Sequence, residues 1–250
     1  ATGPKARTVT PGTVHETIAE HMLADGFDVV LDLDKSQGTY LYDSRSGRRF
    51  LDLFTCFASS PIGFNHPKIR DPEFVRVLGR VAVNKPSNSD LYTVEMAEFV
   101  ETFGRLAAPP ELPHLFFVSG GALAVENALK TAFDWKVRKN MEKGVNSPDT
   151  PERELKGMQV LHFEQAFHGR TGYTLPLTNT FDPRKTKYFP KFDWPRVPNP
   201  KLRFPLDDES LEDVKAREAE SLSRIREAIR ANPDDIAAII EAAQEQRQTG

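Results

Sequence analysis

Apolar and polar residues alternate through FDVVLDLDKSQGTYLYDSRSGRRFLDLF, residues 27–54, around turn signals at Gln37-Gly38 and Ser46-Gly47. A period of two with Tyr40, Tyr42, Phe50, Leu51 and Leu53 as strand formers predicts short antiparallel strands. Ahead of them, residues 1–14 are polar and hold two prolines, which predicts a loose arm, and residues 14–22 read as a short helix. Pro61, Gly63 and Pro67 make SSPIGFNHP a loop. Beyond it the period changes. Residues 68–84 and 91–107 repeat their apolar positions at the helical spacing, with Met96, Phe99, Val100 and Phe103 on one face of the second.

The apolar run HLFFVSGG predicts a strand over 114–118, turning into an amphipathic helix over 123–140 whose buried stripe is Val125, Leu129, Ala132 and Phe133. A further strand near 160–163 runs into the loop that holds Gly169. Residues 141–156 and 182–206 are charged or proline-rich and read as surface connections. Residues 208–231 read as a solvated charged helix, and IAAII after Pro233 as a buried strand. A small β-containing region followed by strand–helix alternation predicts an α/β fold with a mainly parallel sheet. The expected division is an arm and small segment over 1–67 and a larger domain over 68–250.

Composition narrows the function classes. With 250 residues, 39% apolar and 28% charged, the chain can bury a sizeable core as one large domain or two small ones. A net charge of -3 argues against a nucleic-acid partner. No apolar run approaches the roughly 18 residues of a membrane span, and the start lacks a signal-peptide core, so the expectation is a cytoplasmic protein without a membrane partner. Cys56 is alone, which excludes an internal disulfide and the cysteine-based metal spacings, so no metal is expected.

Ligands of open α/β sheets sit beyond the carboxyl ends of strands, and two loops qualify. In Ser119-Gly120-Gly121-Ala122 the adjacent glycines let the backbone approach an anion, and a helix start offers free N–H groups. The same residues also suit an ordinary tight turn. They form neither the Walker nor the dinucleotide pattern. In Phe167-His168-Gly169-Arg170 an aromatic ring, an imidazole and a guanidinium suit a flat anionic ligand, with Phe167 stacking and Arg170 gripping a carboxylate. The plainer alternative has Phe167 in the core, His168 as a satisfied loop residue and Arg170 on a surface acid.

Taken in order, FASSPIGFNHP, FVSGGALAVENALKTAFDWK, FHGRTGYTLPLTNT and DDIAAIIE resemble segments of the class III aminotransferases, over roughly residues 15 to 241. The form is nearest to the branch that acts on the ε-amino group of lysine. The resemblance implies fold type I, with a mainly parallel large domain, a small N-terminal α+β segment and a sheet incomplete within this chain. It implies pyridoxal 5'-phosphate as cofactor, lysine and 2-oxoglutarate as substrates, the 6-semialdehyde and glutamate as products, and a homodimer. Ser119, Gly120, Gly121 and Ala122 fall at the phosphate loop, Phe167 and His168 at the cofactor ring, and Arg170 where the lysine α-carboxylate pairs. Phe57, Ala58 and Ser59 fall at the substrate entrance, and Asn88 and Ser89 near the dimer seam.

Two departures accompany the resemblance. The family's Schiff-base lysine has no counterpart here, since Lys130 and Lys136 lie on the helix after the phosphate loop, so the 250 residues alone are expected to be close to inactive. After Glu241 the family's Pro-x-Gln-Gly-Glu is replaced by Ala242-Ala243-Gln244-Glu245-Gln246, as an unrelated tail or after a missing stretch. Ornithine or 4-aminobutyrate transamination, a non-catalytic module for a phosphate-bearing ligand, and an assembly fragment are the competing readings.

Overall fold

The computed structural model describes residues 8–84, 90–180 and 182–241; Asn88, Ser89 and the segment 242–250 lie outside them. Two compact units meet between Ala108 and Pro109, whereas the sequence pattern places its division after residue 67.

In the first unit the short helix α1 (Val14–Ala19) precedes a hairpin of β1 (Tyr40–Tyr42) and β2 (Arg49–Leu51). The strands pair antiparallel with Leu41 opposite Phe50, as the alternation predicts. Asp43 fixes the turn between them. It is buried and accepts hydrogen bonds from the N–H groups of Val30, Arg45 and Ser46 and from the Ser46 hydroxyl. The Ser46 hydroxyl, then those N–H groups, hold its carboxyl well below the usual carboxylate range. A single turn α2 (Thr55–Ala58) follows, left-handed at Thr55, Cys56 and Phe57 with φ of 47°, 48° and 57°. Side chains crowd the backbone in that conformation. The helices α3 (Pro72–Asn84) and α4 (Val94–Leu106) cover the two helical repeats. Thr93 caps α4 by accepting from the Met96 N–H at 3.1 Å.

The second unit is a three-stranded parallel sheet in the order β4-β3-β5, with β3 (Gln159–Phe163) between β4 (Arg196–Val197) and β5 (Ile236–Ile240). The long helix α5 (Gly121–Glu142) packs through Val125, Leu129 and Phe133 against Val160, Leu177 and Trp194. The helix α6 (Asp208–Ala231) packs through Ile225 and Ala228 against Leu161, Phe163 and Val197. Neighbouring residues of β3 thus serve opposite cores, as strand geometry requires. Asp207 caps α6 through the Ser210 N–H at 2.9 Å, and Ser221, inside the helix, donates to the Pro198 carbonyl at 2.6 Å.

Two expectations need correction. The strand expected over 114–118 does not form: residues 113–118 carry no regular structure and belong to neither sheet, with Phe116 exposed. An apolar run signals burial, but a strand also needs a neighbour to take its backbone hydrogen bonds. Conversely, the 182–206 connection is not wholly a surface excursion, because it supplies β4 and the buried Trp194 and Val197.

The entries to β3 and β5 are tied to the end of α5. Asn140 is fully buried, and its Nδ2 donates to the carbonyls of Lys156 and Asp234, both at 2.8 Å. Asp235 then accepts from the N–H groups of Gly157 at 2.8 Å and Met158 at 3.1 Å. Replacing the amide removes buried donors while leaving acceptors in place. Asn140→Leu therefore lowers stability by about 1–3 kcal/mol, read as a lower urea midpoint at unchanged slope.

Candidate functional site

The site is built on the start of α5. Gly120 stands before it at φ 95° and ψ 152°, a conformation open essentially to glycine alone. No side chain caps the helix, and its first turn holds no acidic residue. Helical geometry leaves the N–H groups of Gly121, Ala122 and Leu123 without intrahelical acceptors. They form the positive end of a 22-residue helix, a place suited to an anion. Ser119 adds a hydroxyl beside it.

The second loop follows β3 and comes to rest on the first. Gly169 has φ of 114°, and a Cβ placed there would lie 2.4 Å from Ala122 Cβ and 2.9 Å from Ala122 Cα. Only a residue without a side chain permits that approach. The structure therefore brings the loop of Phe167, His168 and Arg170 against Ala122. Phe167 is 55% exposed, so its ring is not a core residue but is open to a flat partner. Arg170 is exposed. Thr174 and Thr178, which lie in the FHGRTGYTLPLTNT segment without an assigned role, are buried beside this loop.

Of the remaining expected positions, Phe57 is exposed on α2 in the first unit and meets Phe54 edge-on at 4.6 Å. The Ser59 hydroxyl donates to the Cys56 carbonyl at 2.7 Å, and Ala58 lies on the same turn. Lys130 is exposed on α5, and the Lys136 stem lies against Gly157. Among the described residues no cluster of three or more His, Cys, Asp or Glu is arranged for a metal ion. No described helix is long and apolar enough to cross a membrane.

Two buried imidazoles lie at this end of the sheet. His162 on β3 is lowered to about 4, chiefly by burial, then by the Arg196 guanidinium and by His168. Burial also lowers His168. His162 Nδ1 and His168 Nε2 are buried without a hydrogen-bond partner among the described residues. Both rings are thus held neutral at physiological pH. The unfolded chain binds a proton near 6.5 that the folded His162 refuses until about 4, so the unfolded state takes up more protons in that window. Stability is full above the window and falls as pH drops through it. Urea unfolding at a series of pH values checks this, and His162→Gln flattens the decline.

The close approach at Gly169 gives a second expectation. Gly169→Ala meets both Ala122 and a disfavoured φ, so it destabilises the chain by about 2–4 kcal/mol. Adding Ala122→Gly restores only part of the loss, because the left-handed backbone remains. Thermal unfolding of the single and double variants reads both effects.

Comparison with known proteins agrees with this geometry. The family model of aminotransferase class III matches residues 23–246. The L-lysine-epsilon aminotransferase of Mycobacterium tuberculosis is 53% identical over 235 residues, 94% of this chain and 50% of the relative. That of Streptomyces clavuligerus is 52% identical over 228 residues, 91% of this chain and 48% of the relative. A solved lysine aminotransferase from M. tuberculosis superposes with a TM-score of 0.83 at 53% identity, over 92% of this chain and 51% of that one. An omega transaminase from Pseudomonas jessenii gives 0.64 at 20% identity, over 90% and 48%, and shares the fold alone. The chain spans about half the length of the curated relatives it matches. The fold type I arrangement expected from its motifs is the fold found, and the chain belongs to the class III aminotransferase family.

Proposed function

We propose that this chain carries the phosphate and ring side of a pyridoxal 5'-phosphate site in a lysine ε-aminotransferase, which moves the ε-amino group of lysine to 2-oxoglutarate. The observation that carries the reading is the seating of Gly169 on Ala122. It joins a helix start suited to a phosphate to a loop that presents an open aromatic face. Identity of 53% to the L-lysine-epsilon aminotransferase of M. tuberculosis supports lysine as the donor.

The residues present fit this cofactor. The N–H groups at Gly121 and Ala122, with the Ser119 hydroxyl, would hold the phosphate dianion. Phe167 would cover one face of the pyridine ring and exclude water from it. Burial disfavours the charged form of His168, so Arg170 supplies the positive charge of the ring loop. When bound, the cofactor supplies the electron sink that amino-group transfer requires. Arg170 would pair with the α-carboxylate of lysine and thereby keep the α-amino group back while the ε-amino group goes forward. Phe57, Ala58 and Ser59 would border the substrate entrance. A homodimer accords with α3, which presents Phe74, Val75, Leu78 and Val81 and buries none of its residues.

Arg170 provides the test. In a full-length protein that carries this segment, Arg170→Ala raises the KM for lysine by roughly 100-fold, the equivalent of about 3 kcal/mol of charge-assisted pairing. Cofactor absorbance stays unchanged. An unaltered KM removes the carboxylate role, and turnover of ornithine or 4-aminobutyrate in preference to lysine overturns the choice of donor.

A further inference from the structure

We propose that Thr178 is a positioning residue that holds the ring loop down on the phosphate loop, an inference that rests on the cofactor reading above. The His168 N–H donates to Thr178 Oγ1 at 3.0 Å, and the Thr178 hydroxyl donates to the Gly169 carbonyl at 2.6 Å. One hydroxyl, acting as acceptor and donor, brackets the His168-Gly169 pair, and Thr178 is 3% exposed. Phe167 stands directly before this pair and Arg170 directly after it. The bracket thus controls the height of the stacking ring and of the guanidinium together.

The rest of the loop shows why the hydroxyl has leverage. Gly169 is wedged, since its missing Cβ would lie 2.4 Å from Ala122 Cβ on one side and 3.0 Å from Thr174 Oγ1 on the other. Thr174 is itself fixed: its Oγ1 accepts from the Thr171 N–H at 2.9 Å. The backbone that carries Thr178 is anchored by its N–H on the Leu175 carbonyl at 3.2 Å and by the Asn179 N–H on the Ala166 carbonyl at 2.8 Å. These bonds set a firm base on one side and a glycine-containing loop on the other. A loop with glycine at φ 114° has many alternative backbone states, and the paired hydrogen bonds select one. In that state the loop that carries Phe167 lies against Ala122, beside the N–H groups of the helix start.

Two readouts separate this role from general stability. Thr178→Val removes both bonds at nearly constant volume, Thr178→Ser keeps the hydroxyl, and Thr178→Ala serves if the valine variant fails to fold. Without ligand, amide hydrogen exchange across residues 166–170 speeds up about 10-fold or more in the valine or alanine variant and stays near wild type in serine. Unchanged exchange in all variants overturns the bracket. In a full-length protein that carries this segment, with pyridoxamine 5'-phosphate as the calorimetric probe, affinity falls by about 10-fold in the valine or alanine variant and is kept in serine. Faster exchange with unchanged affinity overturns the positioning role and leaves Thr178 a structural residue. No binding by the full-length wild-type protein overturns the cofactor reading instead, while the exchange measurement still decides the bracket.

Discussion

The approach of Gly169 to Ala122 is the constraint on which the site depends. A Cβ at residue 169 would sit 2.4 Å from Ala122 Cβ, well inside van der Waals contact. Such closeness demands a glycine on one loop and a small residue on the other. It also demands that α5 and β3 hold a fixed relation behind them. Leu129 and Phe133 of α5 meet Val160 of β3, with Leu177 and Trp194 closing the same cluster. The core therefore sets the distance between two loops that are far apart in sequence.

Polar ties make that relation specific. Apolar packing alone tolerates sliding of a helix over a sheet, whereas hydrogen bonds to buried carbonyls do not. Asn140, at the far end of α5 from the site, donates to the approaches of both β3 and β5. Asp235 joins the same two approaches through Gly157 and Met158. The helix is fixed at one end by these bonds and at the other by the seat of Gly169. Charge is arranged with equal economy. The buried histidines are held neutral, Arg170 stays in solvent, and the helix start supplies a positive field without a buried cation.

Much of this was legible along the chain, where the signal is local. The period of 3.6 at Val125, Leu129 and Phe133 marked α5, which begins at Gly121, two positions before the predicted start. The period of two around Tyr40 and Phe50 marked the hairpin, and Asp208–Ala231 is the charged helix expected. The misreadings are cases where the partner decides. Residues 114–118 have strand composition, yet belong to neither sheet. Residues 196–197 lie in a proline-rich stretch without strand periodicity, yet pair with His162 and Phe163 as an edge strand, where prolines are tolerated.

The sequence by itself determined the period of α4, of α5 and of the β1–β2 hairpin, the turn chemistry at Gly47 and Gly120, and the motif order that marks the family. Those are properties of a few neighbouring residues, and backbone sterics read them directly. Tertiary structure alone decided that Gly169 rests on Ala122, that His162 and His168 lose their solvent, and that the Thr178 hydroxyl meets the His168-Gly169 pair. Each of these joins parts of the chain that no local pattern relates. Burial, close contact and hydrogen-bond direction exist only once the sheet and its helices have packed.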